Sequence, residues 1–386
     1  MIPRFTTKAR DRPSFLKNRS TMSDPPRSAS VLPCLTTTPG IEGQFRNQPE
    51  DFRVEELPLY ETSGEGEHAM LFIEKRDITT PRLVEVLSQS LGISDREIGV
   101  AGRKDRFAVT RQFVTVPARS LDSLDPEQVT EQLQLGDQLG PGESIRVLTA
   151  DRHRNKLKTG HLAGNRFEIV LRDVSVSEGE PFEVAQETCR QIDRSGFVNY
   201  FGEQRFGHSD NSDEDGLRLL RGEKSRRLNR GALRFTMSAV QSRLFNEWAA
   251  KRVDDELAAT VLPGDIMQVI ESGGCFNVDP DEVATEQSRF DLRETVPTGP
   301  MFGPKMKTPA GEAAEREKAI LESAGLTGDE FAKFHKVAAG ARRPLLVWPK
   351  DLTVKQTSQS VLEFSFTLPA GTYATSLLRE VQKSRE

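Results

Sequence analysis

A strict two-residue alternation near the C-terminus constrains this chain more than any other feature. In VLEFSFTL, Val361 to Leu368, the apolar residues Leu362, Phe364, Phe366 and Leu368 alternate with Glu363, Ser365 and Thr367. Successive strand side chains point to opposite faces, so the pattern predicts a half-buried strand of an antiparallel sheet. NRFEIVLRDV (165–174) has the same period and puts Asn165, Phe167, Ile169 and Leu171 on one face, a polar residue heading an apolar row. HAMLFIEKR (68–76) is apolar on both parities, as a strand covered on both sides is. EIGVAG (97–102) and FAVTRQFVTV (107–116) read as two further strands joined through Gly102 to Arg106. Strand texture therefore stands at both ends of the chain. If the last strand rejoins the first sheet, whatever lies between is an insertion.

Helical spacing fills the rest. TTPRLVEVLSQSLG (79–92) predicts a helix with Thr80 as N-cap, Pro81 in the first turn, Gly92 as the stop and Leu83, Val84, Leu87 and Leu91 inward. PFEVAQETCRQIDRSG (181–196) predicts another, with Phe182, Ala185, Cys189 and Ile192 inward. Beyond it NYFGEQRFGHSDNSDEDG (199–216) is loop-like, and SAVQSRLFNEWAAKRV (238–253) is a helix with Val240, Leu244, Phe245, Trp248, Ala249 and Val253 on one face. These changes divide the chain into one body of residues 41–194 and 346–386 and a more helical insertion of residues 195–345. Residues 1–40, rich in Arg, Ser, Thr and Pro and without period, are expected to be a disordered tail. Their Arg/Ser bias faintly resembles a transit peptide, but a tail, or initiation at Met22, is the expectation.

Several functions are excluded or disfavoured by what the chain lacks. No apolar run approaches the roughly 18 residues of a membrane helix. Cys34, Cys189 and Cys275 stand far apart with no CxxC or HExxH partner, which suggests neither a zinc site nor a disulfide framework and fits a cytoplasmic protein. P-loop, GxGxxG and GxSxG motifs are absent. NSDEDG (211–216) opens like a calcium loop, but its twelfth position is Gly222 where a bidentate Glu is required, so a solvated acidic turn is expected. The net charge of −5 argues against indiscriminate nucleic-acid binding, yet the charge is unevenly placed. RHRNKLKTGHLAGNR (152–166) holds five basic residues and no acid, and RLLRGEKSRRLNRGALR (218–234) holds seven against Glu223 alone. Either run could be an ordinary solvated face; together they favour contact with RNA or DNA.

One acid, Asp105, is set among Arg103, Lys104, Arg106 and Arg111 in VAGRKDRFAVTRQFVTV (100–116), on or beside a loop. Cations hold a carboxylate ionised, which suits either a structural ion pair or a nucleophile. The wider constellation decides between them. PEDFRVEE (49–56), VAGRKDRFAVT (100–110), LAGNRFEIVLR (162–172), NYFGEQRFG (199–207) and LPAGTYATSLLRE (368–380) resemble, in order, the signature segments of the TruD family of tRNA pseudouridine synthases. The likeness runs from about Phe45 to the C-terminus.

This resemblance implies an α+β fold: a pseudouridine synthase catalytic domain with a mixed, largely antiparallel sheet, interrupted by a TruD-type α/β insertion domain. It also implies isomerisation of a uridine in tRNA to pseudouridine without metal or cofactor; no protein partner is implied, and a monomer is expected. Asp105 matches the family's catalytic aspartate, attacking either C6 of the base or C1′ of the sugar. A base in folded RNA must be flipped out to be reached, and Phe52, Asn165, Phe167 and Tyr373 match positions that hold it. Without the resemblance, Phe52 and Phe167 would read as core and Asn165 as a turn amide. Tyr373 stands where the family has Phe, and Phe167 where other pseudouridine synthases have Tyr. Arg46 replaces a usual Lys and is expected, with Lys104, Arg154, Lys156 and Lys158, to contact RNA phosphates. The competing readings are an idle RNA-binding protein of the same fold, and a carboxylate-pair hydrolase with Glu203 as the second acid.

Overall fold

The computed structural model describes residues 32–135, 138–202, 205–206, 212–223 and 228–383. In chain order the first half contains β1 (Glu42–Phe45), β2 (Phe52–Pro58), β3 (His68–Arg76), α1 (Thr80–Leu91), β4 (Gly99–Val100), β5 (Val109–Pro117), α2 (Pro126–Gln132), β6 (Ser144–His153), β7 (Leu162–Ser175) and α3 (Pro181–Ser195). The middle contains β8 (Phe197–Val198), α4 (Ser212–Leu220), α5 (Arg230–Asp254), β9 (Ile266–Val269), β10 (Cys275–Asn277), α6 (Val283–Asp291), β11 (Thr295–Met301), α7 (Gly311–Ser323), β12 (Ala341–Pro344) and β13 (Leu346–Val347). The chain closes with β14 (Lys350–Ser358), β15 (Val361–Pro369) and α8 (Ala374–Gln382).

Among the described residues nine strands form one mixed sheet, ordered β14-β15-β7-β2-β5-β3-β6, with β1 on β7 and β4 on β5. The pairing of β2 with β5 is parallel and the others are antiparallel. The alternating C-terminal strand does rejoin the first half: β15 pairs with β7, Phe366 opposite Phe167 and Leu368 opposite Asn165. The residues between build separate, smaller sheets, β10-β9-β11-β12 and β13-β8.

Alternation decides what each face of the large sheet meets. Phe52, Val54, Phe167, Ile169, Phe364 and Phe366 share one face and bury it against Ala185 and Ile192 of α3 and Leu377 and Val381 of α8. On the neighbouring strands Leu71, Ile73, Val114 and Val147 pack with Leu83, Val86 and Leu87 of α1. Each such Val, Leu, Ile or Phe side chain contributes about 1.5–3 kcal/mol on leaving water. The opposite face carries a shallow concavity lined by Arg53, Glu55, Arg111, Arg166 and Glu168. Charge pairs occupy it: Arg111 meets Glu55 at 3.2 Å and Glu74 at 2.8 Å.

Local expectations are corrected at four places. The N-cap of α1 is Thr79, whose Oγ1 accepts from Arg82 N at 3.2 Å, and Thr80 falls inside the helix. Asn211 lies outside the described residues, and the rest of the acidic run is the first turn of α4, where negative charge suits a helix N-terminus. There Asp213 and Glu214 pair with Arg243 of α5, a helix that begins at Arg230, earlier than its apolar pattern. Of the expected tail, residues 1–31 lie outside the described residues, but Thr37 and Thr38 are strapped to α3 and residues 34–36 to α8. Glu380, 2% exposed, accepts there from Leu35 N at 3.0 Å, Thr36 N at 3.0 Å and Thr36 Oγ1 at 2.8 Å. A buried carboxylate needs such donors. No helix among the described residues is long and apolar enough to cross a membrane.

Candidate active site

The loop from Gly102 to Arg106 joins β4 to β5 and carries Asp105. Buried groups fasten it on two sides. Because Thr79 caps α1, the hydroxyl of Thr80 is free to accept from Lys104 N at 2.8 Å and to donate to Gln112 Oε1 of β5 at 3.0 Å. From β3, Lys75 donates through Nζ to the carbonyl of Asp105 at 3.2 Å and to the carbonyl of Ile78. Lys75 is wholly buried, and that desolvation pushes its pKa down to about 8 although the charge of Asp105 opposes the shift. The residue just before the loop is tied to the β6–β7 connection, Gly160 N donating to Ala101 O at 2.8 Å.

The Asp105 side chain is 41% exposed, and its Oδ2 accepts from Arg46 at 2.8 Å. Among the described residues Oδ1 has no hydrogen-bond partner. Arg46 takes a left-handed backbone, φ 66°, just after β1, and its guanidinium lies 4.0 Å from the ring centre of Phe52. Arg46, expected at a phosphate, here meets the carboxylate and an aromatic face. Phe52 and Phe167 are 3% and 6% exposed; they meet edge to face at 6.3 Å, and Phe167 stacks on Phe366 at 5.3 Å. Both rings are core as they stand, which leaves little of either to a ligand.

Lys104, also expected at a phosphate, has protein partners here. Its side chain turns inward, Nζ reaching Glu56 Oε2 at 2.8 Å and Asn165 Oδ1 at 2.6 Å, with only 5% of Lys104 and 1% of Glu56 exposed. Glu56 and Asn165 are opposite one another on β2 and β7. Burial pushes the Glu56 carboxyl up, the Lys104 charge working against it. Glu56 is therefore not a second exposed acid, and Glu203, the hydrolase candidate, lies outside the described residues.

Tyr373, at the N-cap of α8, sits with a different group. Its ring is 5.9 Å from that of Phe201, over which the Arg343 guanidinium lies at 3.9 Å. Arg343 donates to Gly371 O at 3.1 Å and to Asn199 O at 2.9 Å, and burial pushes its pKa down to about 10. No hydrogen bond or ring contact among the described residues joins Tyr373 to Asp105. The connection is the strand pair β15–β7, in which Leu368 faces Asn165. Of the first basic run, Arg154 pairs with Glu65, Lys156 donates to the carbonyl of Arg96, and Lys158 is exposed without an ion pair among the described residues. In the second run Lys224, Arg226 and Arg227 lie outside the described residues, and Arg221 braces Ala324 O at 3.0 Å.

Two residues of the site escaped the sequence reading, Glu56 and Lys75. Their signal was parity: Glu56 shares a face with Phe52 and Val54, Lys75 with Leu71 and Ile73, and a charge on a buried face needs a partner. Among the described residues no group of three or more His, Cys, Asp or Glu is placed to hold a metal ion.

Comparison with known proteins bears on this arrangement. A family model described as tRNA pseudouridine synthase D (TruD) matches residues 31–230 and 225–381. A tRNA pseudouridine synthase D of Thermus thermophilus is 39% identical over 345 residues, covering 89% of this chain and 90% of its own. That of an Anaeromyxobacter species is 37% identical over 369 residues, 94% of this chain and 97% of its own. The crystal structure of a putative TruD from Methanosarcina mazei matches with a TM-score of 0.71 at 24% identity, covering 91% of this chain and 95% of its own, a likeness in fold.

Proposed function

The chain belongs to the tRNA pseudouridine synthase D (TruD) family, and from that premise we propose that Asp105 is the nucleophile with which it isomerises a uridine of tRNA to pseudouridine. The observation that carries the proposal is an accessible carboxylate, tethered through Oδ2 to Arg46 at 2.8 Å. Arg46 holds the group aimed, leaving Oδ1 for attack. Lys75 and Thr80 fix the loop beneath it, so the carboxylate is positioned before substrate arrives.

Attack at C1′ or at C6 makes and later breaks a different carboxylate–carbon bond, O–C1′ or O–C6, with the same net change. The N1–C1′ bond breaks, the uracil turns, C5 bonds to C1′, the carboxylate is released, the C5 proton passes to water and N1 takes up a proton from water. Asn165 and Tyr373 are the groups that hold the flipped base, Asn165 by its amide and Tyr373 by its ring. The exposed Arg154 and Lys158 engage phosphates. Residues 41–194 and 346–386 form the catalytic domain and residues 195–345 an insertion, in a monomer that works in the cytoplasm. Incubating the protein with tRNA carrying tritium at uridine C5 tests the reading directly. Release of label to water supports it; tRNA binding without release would make the protein an idle binder.

A further inference from the structure

Asn165 heads the buried face of β7, and which end of its amide faces a ligand is decided by Lys104. An ammonium group only donates, so the 2.6 Å contact from Lys104 Nζ must be to the carbonyl oxygen of Asn165. Turned over, the amide would set its own NH2 against a cation. Lys104 is not free to leave, because Glu56 Oε2 holds the same nitrogen at 2.8 Å in nearly complete burial. Glu56 is itself fixed, its Oε1 accepting from Phe113 N at 3.3 Å, and strand register puts it opposite Asn165. The Nδ2 end is the open one: among the described residues it has no acceptor. A buried charge pair costs desolvation that an apolar pair would not, so its presence here calls for a return other than stability.

We propose that the Glu56–Lys104 pair is a positioning device that locks Asn165 as a hydrogen-bond donor to a carbonyl oxygen of the target uracil. Recognition of that carbonyl then depends on Lys104, which does not touch the base. The inference rests on the isomerase reading above and names how that site recognises its substrate. An unlocked amide would present oxygen as readily as NH2, and oxygen facing a uracil carbonyl is repulsive.

The test uses a tRNA from which the wild type releases C5 tritium, with the target residue as uridine, 2-thiouridine or 4-thiouridine, since sulfur is a weaker acceptor than oxygen. Lys104→Met combined with Glu56→Gln removes the pair as a unit and strands no charge. The expected result is that one thio replacement lowers wild-type kcat/KM about tenfold, the size of one hydrogen bond. The double variant should be slower on uridine yet lose less than about twofold on the same replacement, because the coupling has gone. A purely structural defect would slow both substrates equally. Asn165→Asp keeps a partner for Lys104 and gives a second readout should the double variant fail to fold: it presents oxygen, so the thio penalty must vanish there too. Equal penalties in wild type and variants, or none in the wild type, would overturn the proposal. No label release by the wild type from any tRNA would overturn the isomerase reading, and this inference with it.

Discussion

Lys75 shows how a single buried charge can serve a site it never enters. It sits at the end of an apolar row on β3 and spends its ammonium on two backbone carbonyls, one of them that of Asp105. Its folded-state pKa of about 8 lies below the ordinary value of 10.5. Between those values the unfolded chain binds more protons, so this residue's contribution to stability grows as pH rises and is lost as pH falls through 8. Melting curves of wild type and Lys75→Met should therefore diverge, the wild type gaining about 2 kcal/mol on the variant from pH 7 to 9.5. Parallel curves would remove Lys75 from the account. At this scale the sequence was partly legible. Asp105 stood out by its surroundings and Asn165 by its odd place on an apolar face. The partners of Arg46 and Lys104 were not legible, because residue type does not tell which way a side chain turns from a loop and the acids they meet, Asp105 and Glu56, come from distant segments.

Elements were read best where a period is long and clean. β15 and β7 alternate without a break, and their pairing followed. The start of α1 was misread by one residue because two threonines compete for the cap, and the difference has consequences. With Thr79 as cap, Thr79→Ala should cost about 1 kcal/mol of stability and leave kcat unchanged. Thr80→Val should keep the helix but cut the tether to Lys104 N, lowering kcat about tenfold, the value of one well-placed hydrogen bond. Circular-dichroism melts and single-turnover rates on the two variants separate the roles. The opposite assignment of effects would restore Thr80 as the cap.

In the molecule as a whole, residues 34–36 and the last helix meet, a contact that composition could not announce because the strap is short and polar. Glu380→Ala should lower stability by about 2–4 kcal/mol by stranding the donors of Leu35 and Thr36, while folded protein keeps its turnover; an unchanged melting temperature would contradict the strap. For tRNA, neutralising Arg154 and Lys158 together should reduce the steepness of affinity against salt by about one unit of log–log slope per lost phosphate contact. An unchanged slope would return that run to an ordinary solvated surface. The central proposal is that one carboxylate, that of Asp105, acts on one uridine. The direct measurement is single-turnover tritium release by Asp105→Asn, with tRNA affinity and melting temperature taken on the same preparation. The account predicts no release, affinity equal to or slightly above wild type because a negative charge has left an RNA site, and a melting temperature close to wild type because the Arg46 pair is partly exposed. Near-normal release by folded Asp105→Asn protein would contradict it.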